Sequence, residues 1–213
     1  MTDEQRRRYV SPGRRARAEA TRARILDAAT DLFLADGYAG TTTAAVARAA
    51  GVSEAAVFAA FGSKAALLVA VVTANASGPQ GELPPAPSRD WSALTPAEVL
   101  RAFAGIARRA HGRSWRLLTI ARAAAEGDPV LSPLVAAAGR RRRPTCLWLM
   151  GDVLGVDAAA LDSATDRLWT LTSVDVYRLL VIELGWSADR YEIWLGQLLC
   201  REFDVAAEPG PAS

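Results

Sequence analysis

Residues 21–72 read TRARILDAATDLFLADGYAGTTTAAVARAAGVSEAAVFAAFGSKAALLVAVV, and the spacing of apolar residues and helix breakers in this stretch decides the fold. Ile25, Ala29, Leu32 and Phe33 fall at i, i+4, i+7 and i+8, one face of a 3.6-residue period. Gly37 is placed to stop that helix as a left-handed C-terminal residue. Thr42 or Thr43 can then cap a short second helix, residues 44–50, with Val46 and Ala50 facing inward and Gly51 ending it. Ser53 can cap a third helix, residues 54–61, closed by Gly62, and Ser63 a fourth from Lys64 to about Asn75. Two short helices joined by a tight turn containing glycine form a helix-turn-helix.

Outward from this stretch, residues 1–20 are polar, carry Pro12-Gly13 and read as a flexible arm merging into a helix. The arm region is strongly basic. Arg6, Arg7, Arg8, Arg14, Arg15, Arg17, Arg22 and Arg24 face only Asp3, Glu4 and Glu19, while the whole chain carries a net charge of just +2. Basic arms of this kind usually lie along a polyanion. On the other side, residues 77–94 are dense in Pro, Gly and Ser and read as a linker. Residues 95–204 return to helical periodicity, with predicted segments 96–111, 114–126, 129–154, 163–184 and 187–203. Thr95-Pro96 with Glu98 has the grammar of a helix start, as has Ser187. Pro144 should kink or break its helix. Residues 205–213 are a tail. The fold class is all-α.

Composition narrows the function. At 213 residues, 51% apolar and 23% charged, the chain can bury a substantial core as one domain or two small ones. No apolar run approaches the ~20 residues needed to span a bilayer, and the first residues lack an apolar leader. The expectation is a soluble, cytoplasmic protein without a membrane partner. Two cysteines, Cys146 and Cys200, and one histidine, His111, make neither a disulfide framework nor a zinc site. There is no Gly-rich phosphate loop and no nucleophile motif matched to that histidine, so neither a metal, a cofactor nor an enzyme is expected.

The stretch 21–72 resembles the DNA-binding domain of the TetR family of bacterial repressors. The resemblance rests on Ala28-Ala29, Leu32-Phe33, Gly37-Tyr38, Thr41-Thr42-Thr43, Ala47, Ala50-Gly51-Val52-Ser53 and Phe61-Gly62-Ser63-Lys64, in order and at family spacing. It implies a three-helix DNA-binding domain (residues 21–76), double-stranded DNA as partner, and phosphate contacts from Thr42, Thr43 and Lys64. Lys64 is the chain's only lysine, and a cation in a helix's first turn opposes the macrodipole unless an anion is near. The recognition helix departs from the family pattern: Phe58 lacks the phenolic hydroxyl and Ala60 the ring that members place on phosphates. Its polar readers are Ser53 and Glu54, joined by methyl groups at Ala55, Ala56 and Ala59 that can touch thymine methyls. Arg48 and the basic arm are the available compensations.

For residues 95–204 the resemblance implies a ligand pocket and a dimer interface. Pocket candidates are Trp115, Leu118, Thr119, Trp148, Met150, Trp169, Thr172, Ser173 and Tyr177. The last two helices present Trp169, Val176, Leu180 and Leu184 on one face. Tyr191, Trp194 or Leu195, and Leu198 or Leu199 lie on the other, suiting a four-helix seam in a twofold homodimer. Arg178 can pair with Asp175, His111 fits a helix C-terminus, and Arg140–Arg143 read as a solvated helix end. The expected function is a sequence-specific DNA-binding regulator, a repressor released by a small apolar or amphipathic ligand. The alternative is a helical ligand-binding or interaction protein that has lost specific DNA binding, suggested by the alanine-filled recognition helix.

Overall fold

A computed structural model describes residues 12–78 and 91–205, which are helical throughout with no strand among them. The helices are α1 Pro12–Gly40, α2 Thr43–Ala50, α3 Glu54–Phe61, α4 Lys64–Ser77, α5 Pro96–Ala125, α6 Leu131–Arg140 and α7 Arg142–Trp148. A π-helical turn, Leu149–Val153, prolongs α7. Then follow α8 Ala158–Leu171, α9 Val174–Tyr177 with its own π-helical extension Arg178–Glu183, and α10 Ala188–Glu202. Among the described residues no single helix is long and apolar enough to cross a membrane.

The chain divides into two compact units. The first comprises α1 to α3, α4 up to Val71, and residues 120–134; the second holds the rest. Residues 120–134 are a departure from the sequence reading, which assigned everything from Thr95 onward to the C-terminal domain. In the first unit Ile25, Ala29, Phe33 and Val46, which the periodicity marked, are fully buried with Leu67, Leu68 and Val71, while Leu32 is half-buried. The second unit is centred on Leu100, Phe103, Leu149, Met150, Leu168, Tyr191, Leu195 and Leu199. Burying each such side chain contributes about 1.5–3 kcal/mol before conformational entropy is charged against it.

Several boundaries differ from expectation. Helix α1 starts at Pro12, within the stretch read as a flexible arm, because proline's missing N–H is harmless in a first turn. Residues 1–11 and the side chain of Arg14 lie outside the described residues, and so does most of the 77–94 linker. Helix α5 runs unbroken through Gly112, so 96–111 and 114–126 are one helix and His111 sits mid-helix, not at a C-terminus. The chain breaks at Arg141, three residues before Pro144, which takes the third position of α7 where no N–H is needed. The predicted 163–184 helix is interrupted at Thr172–Ser173, where Ser173 accepts from Val176 N to start α9. Arg178 pairs with Glu183. Cys146 and Cys200 are free, buried thiols.

The apolar residues expected to form a seam on the last helix divide: Trp194 and Leu198 are half-buried. Tyr191, Leu195 and Leu199 are fully buried in the protomer's own core. The exposed apolar side chains of this region are Leu179, Ile182, Leu184 (67% exposed) and Ile193 (62%).

Candidate nucleic-acid interface

Short-range hydrogen bonds build the α2–α3 motif. Thr42 is the N-cap of α2, its Oγ1 accepting from Ala45 N at 3.1 Å. Gly51 ends α2 at φ +64°, a left-handed conformation that side chains rarely adopt, and its N–H reaches back to Arg48 O. Ser53 caps α3 by accepting from Ala56 N at 3.2 Å, and Ser63 does the same for Ala66 N at 3.1 Å. Thr43 donates its hydroxyl to Glu54 Oε1 at 2.5 Å, pinning the N-terminus of α2 to that of α3. The carboxylate of Glu54 thereby sits in the first turn of α3, where the helix dipole favours negative charge.

Helix α3 buries Val57 and leaves Glu54, Ala55, Phe58 and Ala59 exposed, Phe58 at 47%. Ala56 is only half exposed. The outward face is thus one carboxylate, two methyl groups and one ring, with Ser53 at its start. Arg48 lies exposed in the last turn of α2. Lys64 differs from the phosphate anchor that the sequence suggested. Its ammonium donates to Tyr38 O at 2.9 Å and Thr41 O at 3.1 Å, and lies 4.2 Å from the Tyr38 ring centroid. One of its three N–H bonds remains for a phosphate.

Two supports escaped the sequence reading. Arg22 donates to Ala60 O at 2.9 Å and stacks 4.1 Å over the Phe61 ring, closing the C-terminus of α3 from α1. Tyr38 donates to Asp128 Oδ2 at 3.3 Å, while Asp128 Oδ1 accepts from Val130 N and Leu131 N at the start of α6. Those amides hold the Asp128 carboxyl below its ordinary range, chiefly through Leu131. Burial, reinforced by the same carboxylate, raises the Tyr38 phenol. Neither pairing has a local signal: the partners are 38 and 90 residues apart.

This geometry can place a short helix in a major groove, with hydroxyls and helix N-termini against the flanking phosphates. Residues 25–71 match the family model of bacterial regulatory proteins, tetR family. Residues 25–71 form a TetR-family DNA-binding domain. The chain's fold is similar to solved structures of the same kind. A transcriptional regulator of the TerR/AcrR family from Aquifex aeolicus VF5 is 16% identical, with TM-score 0.53, covering 87% of this chain and 98% of that one. The flavonoid-responsive regulator FrrA is 26% identical, with TM-score 0.57, covering 85% and 96%. The multidrug binding protein EbrR, solved with imidazole, is 21% identical, with TM-score 0.53, covering 94% and 93%. No curated protein matches the chain. A TetR-like DNA-binding regulator is what fold and domain together support.

In the C-terminal unit the predicted pocket residues do not all converge. Trp169, Thr172 and Tyr177 come together around Arg142 and His111. Arg142 donates to Thr172 O at 2.9 Å, to Thr172 Oγ1 and to Trp169 O; His111 Nε2 lies 2.9 Å from the same Thr172 O. Tyr177 lies 5.7 Å from the His111 ring. Burial outweighs that carbonyl contact and lowers His111 to about 4, so the neutral ring donates Nε2–H to Thr172 O at pH 7. Met150 is fully buried core, and Trp148 packs edge-on against Trp91 at 6.1 Å. Trp115 and Leu118 are half-buried, Thr119 is exposed with its hydroxyl on Trp115 O, and Ser173 is engaged in capping α9. Sequence reasoning missed Arg142, taken for part of a solvated helix end, because its partners lie 27 and 30 residues away.

Proposed function

We propose that the protein is a homodimeric transcriptional repressor whose operator affinity falls when a small, largely apolar molecule binds its C-terminal unit. The observation that carries this reading is the exposed, rigidly capped α3 in a TetR-family domain. In this reading Ser53, Glu54, Ala55, Phe58 and Ala59 face base edges, with Ala56 contributing least because it is half covered. Thr42, Thr43, Arg48 and the remaining N–H of Lys64 meet phosphates. The name of FrrA describes a protein responsive to flavonoids, and an effector of similar size and apolarity is proposed here. The dimer face consists of Leu179, Ile182, Leu184 and Ile193, the exposed apolar side chains on the last two helical segments. Half-site recognition by one small helix-turn-helix is generally doubled by twofold symmetry.

A gel-shift titration against the DNA flanking the protein's own gene tests the reading. A discrete complex expected to weaken steeply with salt, at about −0.9 in log K per neutralised phosphate, supports it. Loss of that complex in a Leu184→Glu, Ile193→Glu double variant supports the dimer face. No complex at any salt concentration would favour a ligand-binding protein without specific DNA binding.

A further inference from the structure

The Arg142 cluster is built like half of a binding site. Arg142 opens α7 and uses three of its five N–H bonds, all on neutral oxygens: Thr172 O, Thr172 Oγ1 and Trp169 O. Asp175 stands near enough to favour the charged form of Arg142 against desolvation. Near it, two buried polar atoms lack a hydrogen-bond partner: the Trp169 indole Nε1 and the Tyr191 hydroxyl. Tyr191 is fully buried, its ring edge-on to Tyr177 at 5.0 Å. The Arg142 guanidinium lies 5.3 Å from the centroid of the Trp169 ring and close enough to Tyr191 to act on its phenol. Buried donors without acceptors are rare in folded proteins and call for an explanation.

Two further features point to a ligand rather than to a packing defect. α7 and α9, which carry Arg142 and Tyr177, each run into a π-helical segment, a geometry found disproportionately at functional sites. Arg142 and Trp169 each keep part of their surface in solvent, which gives a small molecule a route to the guanidinium.

We propose that Arg142, the Trp169 indole N–H and the Tyr191 hydroxyl anchor the carboxylate of a small organic acid, whose apolar body lies on the surrounding aromatic rings. This assignment rests on the effector reading above and gives the effector a charge. The two remaining N–H bonds of the guanidinium can donate to carboxylate oxygens, and the indole N–H and phenol O–H are donors that a carboxylate can also satisfy. A single guanidinium beside a neutral imidazole and Asp175 suits a monoanion better than a dianionic phosphate.

Tryptophan-fluorescence titration of the full chain with benzoate, phenylacetate and octanoate, each beside its neutral amide, tests the proposal; a neutral flavonoid serves as control. The acids should bind at least tenfold more tightly than their amides and release operator DNA. Tyr191→Phe should weaken the acids about tenfold, leave the amides unchanged and leave Tm unchanged or raised, because the hydroxyl has no partner to lose. Arg142→Lys should also weaken the acids, since an ammonium keeps the charge but loses the fork. Equal binding of acids and amides overturns the anionic assignment, and so does a fall in Tm for Tyr191→Phe. Release of DNA by the flavonoid alone, with no response to any acid, overturns the charge while sparing the effector reading. No response to any probe at millimolar concentration overturns both.

Discussion

The helix-turn-helix and the Arg142 cluster use polar side chains in opposite ways. In α2–α3 the polar groups are exposed and engaged with near neighbours: Thr42 and Ser53 cap the helices they open, and Thr43 clasps Glu54 eleven residues on. Local bonds of this kind set the angle of α3 before any DNA arrives, leaving a nearly apolar face outward. Around Arg142 the polar groups are largely buried and their partners are distant in sequence, and the Trp169 indole N–H and the Tyr191 hydroxyl have none. The first is stiffened by bonds between near neighbours, whereas the second keeps unmet hydrogen-bonding capacity.

The comparison can be broken or sharpened by mutation. The largest effect should come from testing which leucines and isoleucines belong to the protomer. Leu195→Ala, fully buried, should cost about 2–5 kcal/mol in urea denaturation. Ile193→Ala, largely exposed, should stay within about 0.5 kcal/mol for the monomer and lower only the dimer's association constant. Equal costs would erase the boundary between core and interface.

His111 comes next. Its folded-state value near 4 lies below the unfolded 6.5, so the unfolded chain binds more protons between those limits. The stability from the neutral ring is fully present above about pH 6.5 and is lost as pH falls toward 4. Wild type should therefore lose about 3 kcal/mol more than His111→Gln between pH 7 and pH 4, on the relation of about 1.36 kcal/mol per pKa unit. Parallel pH profiles for the two proteins would show the imidazole to be solvated.

Lys64→Met separates two roles. Losing the bonds to Tyr38 O and Thr41 O should lower stability by about 1–3 kcal/mol. A pure phosphate anchor would instead leave stability intact and flatten the salt dependence of a dimer by about two units of slope. The smallest effect is expected for Ser53→Ala, about 1 kcal/mol from the lost cap, read in the same denaturation series.

The contrast also explains what was legible in the sequence. The caps and stops in residues 42–63 were readable, because each depends on residues within four positions and on glycines whose φ only they adopt easily, whereas Gly37 kinks the first helix, which runs on to Gly40. The fold class and the DNA-binding segment followed. Arg142, Arg22 and Asp128 were not readable as site or support residues, since tertiary packing chooses partners 27 to 90 residues away. Lys64 illustrates the same limit: its position in a first turn was visible, but the two carbonyls that hold it belong to the end of α1 and the loop after it. On α10 the sequence left Leu195 or Trp194 and Leu199 or Leu198 open, because a helical period identifies an apolar face without saying which residues the protomer itself covers.

The central claim is that the capped, alanine-rich α3 reads DNA sequence. Fluorescence anisotropy at one physiological salt concentration tests it, comparing the duplex flanking the protein's own gene with a scrambled duplex of equal length and composition. The account predicts binding to the native duplex tighter by about a thousandfold or more, the lower range for specific over non-specific association. Equal affinity for the two duplexes would contradict it.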